Sequence, residues 1–234
     1  MVRQRCRPPC EFRPAGPPDL RSRKWVADYN EVKTFGVKNG SLRFDEQTAS
    51  ALFWEPLAGT VWPATIRRIA REQSLDLATS ARFQSAAFAA FADGLIACWD
   101  AKCYFNSWRP VTAIPQGETD GNRRTAPDPA WEPLAVTPNF PEYPSGHTCA
   151  TIAVGHTIED VLQHEDGLQH LSIPARNIVS GEERSIEAPT MWWTKSLKPA
   201  CCSACISVRQ MKTGAGLGRK IAHQIRPDLF GRKH

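Results

Sequence analysis

Lys102, then six residues, then Arg109-Pro110, and further along Pro144-Ser145-Gly146-His147, put two cations, a hydroxyl, a glycine amide and an imidazole in one chain. These groups together can grip a small tetrahedral oxyanion. Arg109 offers a planar fork of N–H donors that matches two oxygens at once, and Lys102 adds a compact positive charge. Ser145 and Gly146 stand just before the apolar run from Thr148 to Leu162. A helix starting there leaves its first N–H groups without intrahelical partners and points its positive dipole end outward. His147, with an ordinary pKa of about 6.5, suits proton transfer beside a bound anion.

Particular elements must bring these groups together. Leu75, Leu77, Phe83, Ala87, Phe88, Phe91, Leu95 and Trp99 share one face of a helix expected over 75–104, with Lys102 near its C-terminal end. Pro110 opposes continuation, so Arg109 is expected on the following loop. A second helix is expected over 147–164. The intervening residues 110–143 hold seven prolines and many polar side chains. Because they join the two halves of the site, they read as an ordered loop covering it. Helical spacing also marks 48–54 and 61–72, and 216–225 reads as the last helix. Short strand candidates remain at 111–114 and 170–173. Each site residue has an ordinary structural use as well: Ser145 as an N-cap, Arg109 as a C-cap, Lys102 on a helix-end surface, His147 in a core. The combination is what points to phosphate or vanadate. His156 lies nine residues past His147, half a revolution away on a helix, and reads as structural. Asn106, Trp108 and Glu142 read as loop packing or as support for the site.

The two motifs resemble the first two signatures of the phosphatidic acid phosphatase type 2 / vanadium-dependent haloperoxidase superfamily. The longer run Asp100-Ala101-Lys102-Cys103-Tyr104-Phe105-Asn106-Ser107-Trp108-Arg109-Pro110-Val111-Thr112-Ala113-Ile114 resembles its haloperoxidase-like branch. So do Asp120-Gly121-Asn122, Pro127-Asp128-Pro129-Ala130-Trp131 and Thr137-Pro138-Asn139-Phe140-Pro141-Glu142-Tyr143. The resemblance runs from about residue 14 to 185 and resumes over 214–222. It implies an all-α fold, a helical bundle of the acid phosphatase/vanadium haloperoxidase type, here incomplete. It also implies oxyanion binding by Lys102, Arg109, Ser145 and Gly146, acid–base catalysis by His147, and vanadate as the cofactor for peroxide-dependent oxidation of halide or an organic sulfide. With phosphate in the same pocket it implies an acid phosphatase acting on phosphoesters through a phosphohistidine. Either way the partner is a small-molecule substrate.

The chain departs from the family at the third signature, Ser-Arg, five residues, then His. There the Arg holds the oxyanion, and the His is the phosphate nucleophile or axial vanadium ligand. Counting back from Gly214 puts that His at Ser207 and that Arg at Cys201. A serine is a poor substitute for imidazole, and a thiol cannot replace a guanidinium. Residues 185–213 also have poor periodicity, with Met191-Trp192-Trp193 and Cys201-Cys202-Ser203-Ala204-Cys205. Read one base upstream with allowed codons, the stretch regains Arg, five residues, His. The hypothesis is translation in a shifted frame. Codons for Cys205-Ile206-Ser207 that cannot spell Leu-His-Phe in the neighbouring frame would remove it. As written, the chain is expected to be impaired. Three readings stand: a haloperoxidase-type oxidoreductase, an acid phosphatase, or an inactive anion-binding remnant.

Composition bounds the rest. A chain of 234 residues suits one large domain or a fragment of one. The domain is expected over 14–226, after an unpatterned stub at 1–13 and before a tail at 227–234. Mean hydropathy of −0.40, with no apolar run near the ~20 residues a helical span needs, points to no membrane span. The 29 basic and 24 acidic residues leave +5, too mild and unclustered for nucleic acid. Cys202 and Cys205 lack a second pair or nearby histidines, so no metal site is expected. Cys98, Cys103 and Cys149 read as small buried side chains. The first ten residues lack the apolar core of a secretory signal. The abrupt start of the resemblance makes a truncated or mis-started N-terminus the expectation, leaves the compartment undetermined and leaves a homo-oligomer open.

Overall fold

The Asp76 carboxylate accepts a hydrogen bond from the Thr79 amide (2.9 Å) and so caps the longest helix of the chain. Numbered in order, the helices of the computed structural model are α1 (Arg23–Phe35), α2 (Asp45–Trp54), α3 (Ala58–Glu72), α4 (Leu77–Phe105), the single turn α5 (Pro110–Ala113), α6 (Gly146–Gln163) and α7 (Val208–Phe230). A hairpin of β1 (Ser172–Arg176) and β2 (Glu183–Glu187) lies between α6 and α7 in sequence. The structure describes residues 8–55, 58–163, 172–177, 179–187 and 207–230.

The fold is mostly helical, and α4, α6 and α7 form its centre. The buried face of α4 is made of small residues: Ala86, Ala87, Ala90, Gly94, Ala97, Cys98 and Ala101. They let α6 approach closely and antiparallel. Gly94 lies against Ala150 and Ala153, while Gly146 lies against Cys98 and Trp99. α7 runs parallel to α6. A Cβ on Gly214 would stand 2.4 Å from the Ser145 carbonyl oxygen, and one on Gly218 2.4 Å from that of Cys149. Larger side chains make a second cluster: Phe53, Trp62, Ile66, Ile69, Phe83, Val154, Ile158, Leu162 and Met211.

Several boundaries differ from the sequence expectation. The expected strand at 111–114 is the helical turn α5 instead. Pro110 occupies its first position, where its missing N–H is no loss, and Arg109 before it is extended (φ −78°, ψ 150°). The strand candidate 170–173 overlaps the start of β1, and β2 pairs with it. Cys103 is exposed, not buried; Cys98 and Cys149 are buried as expected. The last helix begins at Val208, well before 216. Of the expected stub, Pro9–Phe12 form a 3₁₀ turn, and Arg13 makes a two-pronged pair with Asp100 (2.6 and 2.9 Å). Among the described residues no helix is long and apolar enough to cross a membrane.

The sequence reading missed α1. Ser22 caps it by accepting from the Trp25 amide, and Trp25, Tyr29 and Val32 fall one turn apart toward residues 110–143. The Tyr29 hydroxyl shares its one proton between the carbonyls of Ile114 (3.0 Å) and Ala126 (2.8 Å), and Trp25 Nε1 donates to Asp120 (2.7 Å). With Ile114 and Trp131, Tyr29 and Val32 form a separate small core. The proline-rich stretch is therefore ordered by α1.

Candidate functional site

Lys102 sits in the last turn of α4, only 2% exposed. Asn106 ends the helix in the left-handed conformation (φ 42°), which asparagine tolerates. That turn releases the chain so that Arg109 comes back over the same end. The Lys102 ammonium donates to the carbonyls of Pro141 (2.9 Å) and Glu142 (2.6 Å). Arg109 Nε donates to the Phe140 carbonyl (2.7 Å), and its terminal nitrogen lies 2.8 Å from Glu142 Oε2. The Phe140 ring faces both cations, 5.1 Å from the Lys102 nitrogen and 4.7 Å from the Arg109 guanidinium carbon. Two charges seven positions apart thus converge on one segment, 140–142.

That segment leads directly into α6. Ser107 holds it by accepting from the amides of Tyr143, through its hydroxyl (2.9 Å), and of Glu142, through its carbonyl (3.2 Å). The Tyr143–Pro144 peptide is cis. Ser145 is fully buried, and its hydroxyl accepts from the Thr148 amide (3.3 Å) and meets the Thr148 hydroxyl (3.0 Å). It therefore serves as the N-cap of α6. Gly146 lies where a Cβ would stand 3.0 Å from the Trp99 ring, so a larger residue would have to push that ring aside for the first turn to settle on α4. His147 follows, half-buried.

Glu142 is the residue sequence reasoning undervalued. Its carboxyl is 1% exposed, and Oε1 has no hydrogen-bond partner. Burial raises its pKa from the ordinary 4.5 to about 7, although Arg109 and Lys102 pull the other way. Burial lowers Lys102 from 10.5 to about 8, against the attraction of Cys98 and Glu142. The folded state therefore holds the Glu142 proton more tightly than the unfolded state does. Its contribution is fully present below pH 4.5 and is lost as pH rises toward 7. Glu142→Gln should accordingly gain on the parent by on the order of 3 kcal/mol between those pH values. Urea unfolding followed across that range checks this; parallel curves for the two proteins would exclude a buried titrating carboxyl.

Ser207, the expected ligand position, is 2% exposed and caps α7 reciprocally with Gln210 (3.4 and 3.3 Å). It lines a cavity of about 30 Å³ together with Glu142, Asp28, Trp108 and Gln210. Asp28 accepts from Arg209 Nε (2.9 Å); burial raises its pKa, with Arg209 opposing. Cys201 and 188–206 of the suspect stretch lie outside the described residues. Residues 208–213 of that stretch belong to α7, and Met211 is buried in the core. The structure thus brings Lys102 and Arg109 together on the segment that precedes Ser145, Gly146 and His147. It places Ser207 beside Glu142 at the neighbouring cavity.

Residues 82–225 match the family model described as the VCPO second helical-bundle domain. A vanadium chloroperoxidase from Curvularia inaequalis is 31% identical over 167 residues, covering 57% of this chain and 27% of that protein. A solved bacterial vanadium-dependent iodoperoxidase superposes with a TM-score of 0.74 at 23% identity, over 97% of this chain and 55% of the other. An apo-type bacterial vanadium-dependent chloroperoxidase gives 0.67 at 20%, over 95% and 54%. At these identities the two structures show the shared fold. The chain spans about a quarter of the curated relative and about half of each solved structure.

Proposed function

We propose that this chain, which belongs to the VCPO second helical-bundle domain family, holds a tetrahedral oxyanion, vanadate or phosphate, between Lys102, Arg109 and the start of α6. The observation that carries the proposal is the convergence of two buried cations on 140–142. Buried cations bound mainly to carbonyls and one carboxylate form a site of positive charge. An incoming anion can take the place of those oxygens. The hydroxyl of Ser145 and the amide of Gly146 lie at the N-terminus of α6, where the helix dipole favours negative charge. His147, next along, would give or take a proton on the bound species.

These residues fit the electrostatic grip of an oxyanion. They do not fit a bond from vanadium to nitrogen, because Ser207 stands at the expected ligand position and is used in capping α7. Bound vanadate would supply peroxide activation for halide oxidation, the chemistry implied by the family resemblance. Phosphoester hydrolysis in the same pocket, the other reading, calls for the same imidazole. The chain as written is therefore proposed to bind the anion without turnover. Bromide oxidation with vanadate and peroxide, and phosphate release from p-nitrophenyl phosphate, should both stay at background. Phosphate should still bind by calorimetry, and Lys102→Ala should weaken it roughly tenfold or more. Turnover of either substrate would overturn the claim of impairment; unchanged phosphate affinity in Lys102→Ala would overturn the site.

A further inference from the structure

Cys98 and Cys149 are fully buried and meet where α4 crosses α6. Gly94 makes that crossing tight: a Cβ there would lie 3.5 Å from the Ala150 Cα and 3.3 Å from the Ala153 Cβ. The antiparallel register sets Cys98, one turn beyond Gly94, opposite the first turn of α6. Cys98 Sγ lies 3.7 Å from the Pro144 carbonyl oxygen and Cys149 Sγ 3.2 Å from that of Gly94. Both sulfurs belong to one buried cluster at this crossing, close enough for each to shift the other's pKa. They lie directly beneath the Ser145-Gly146 entry to α6; a Cβ on Gly146 would be 3.8 Å from Cys98 Sγ.

We propose that Cys98 and Cys149 are a redox-active dithiol, a modification site at which hydrogen peroxide closes a disulfide between α4 and α6. The proposal is independent of anion binding. Cys98 is the first to react. The neighbouring Cys149 side chain lowers its pKa, and the Lys102 ammonium adds to this against the effect of burial; Cys149 itself is raised well above its ordinary value. The Cys98 thiolate attacks one peroxide oxygen and the O–O bond breaks, giving a sulfenic acid and hydroxide, which becomes water on taking a proton. The Cys149 sulfur then displaces the sulfenic hydroxyl, forming the S–S bond and a second water. Two electrons pass from the sulfurs to one peroxide. Both S–H groups are consumed, so the Pro144 carbonyl loses its thiol partner and the first turn of α6 is tied covalently to α4.

The test uses the full chain, treated with a peroxide series up to the concentration that oxidises the exposed Cys10 and Cys103 completely. Remaining thiols are alkylated in denaturant, and the digest is mapped by mass spectrometry. The expected product is a Cys98–Cys149 linked peptide pair, two hydrogens lighter than the two thiols, that disappears on reduction. It should also be absent from Cys98→Ser and from Cys149→Ser. Recovery of both cysteines as alkylated thiols at the highest peroxide overturns the proposal. So does finding them linked to other cysteines, or separately as sulfinic or sulfonic acids.

Discussion

Arg109→Ala should destabilise the fold by about 3 kcal/mol at pH 8 and by only about 1 kcal/mol at pH 5. The pH dependence follows from what the guanidinium neutralises. Its nitrogen lies 2.8 Å from Glu142 Oε2, on a carboxyl that is 1% exposed. Once the arginine is removed, an ionised Glu142 is left buried with Lys102 as its nearest opposite charge. Removing one partner of a buried pair is expensive for that reason, whereas the intact pair adds little net stability. At pH 5 Glu142, raised to about 7, is already protonated, and the loss reduces to the hydrogen bond to Phe140 and the contact with its ring. Arg109→Lys should recover part of the pH 8 loss, since an ammonium restores the charge but not the fork. Urea midpoints at the two pH values check this, and equal losses at both would mean that Arg109 neutralises no buried charge on Glu142.

Gly214→Ala and Gly218→Ala should each cost about 3 kcal/mol or more, while Gly216→Ala should be neutral or stabilising by up to about 1 kcal/mol. The added carbon at Gly214 or Gly218 would meet a carbonyl oxygen of α6 at 2.4 Å, and at Gly216 nothing lies within 4 Å. Backbone cannot rotate out of the way as a side chain can, so α7 must move off α6. The displacement at Gly214 falls on the Ser145 carbonyl and hence on the start of α6. Weakened phosphate binding should therefore accompany the lost stability there. Thermal unfolding of the three variants measures the contrast; three similar midpoints would mean that α6 and α7 are not in close contact.

The parts of this architecture that were legible in the sequence were those written by local periodicity. α4 and α6 are legible as helices from their apolar spacing, but the face α4 buries is the small-residue stripe from Ala86 to Ala101, while Leu77 of the expected face is exposed; Lys102 and Arg109 fall where a helix end and a proline must put them. α1 was missed although Ser22, Trp25, Tyr29 and Val32 carry a cap and a one-sided stripe. Its stability comes from Ile114, Ala126 and Trp131, far away in sequence. Val111 to Ile114 looked like a strand by composition, and the proline at the first helical position decided otherwise. Glu142 reads in the sequence as loop packing or as support for the site, but its complete burial follows only once the segment is laid over α4. The reciprocal cap of Ser207 and Gln210 was not read from the sequence, where Ser207 stood only as the expected ligand position. Only the structure shows that cap to be buried beside Glu142, where the family resemblance called for an imidazole.

Lys102, Arg109 and the first turn of α6 are proposed to form one anion site. The most direct measurement is a phosphate titration of the isotope-labelled chain followed by amide and arginine side-chain NMR. Saturable shifts concentrated on Gly146, His147 and the Arg109 Nε–H, and absent from Lys102→Ala, are the predicted result. Shifts confined to exposed basic residues, with the Gly146 amide and Arg109 unmoved at saturating phosphate, would contradict it.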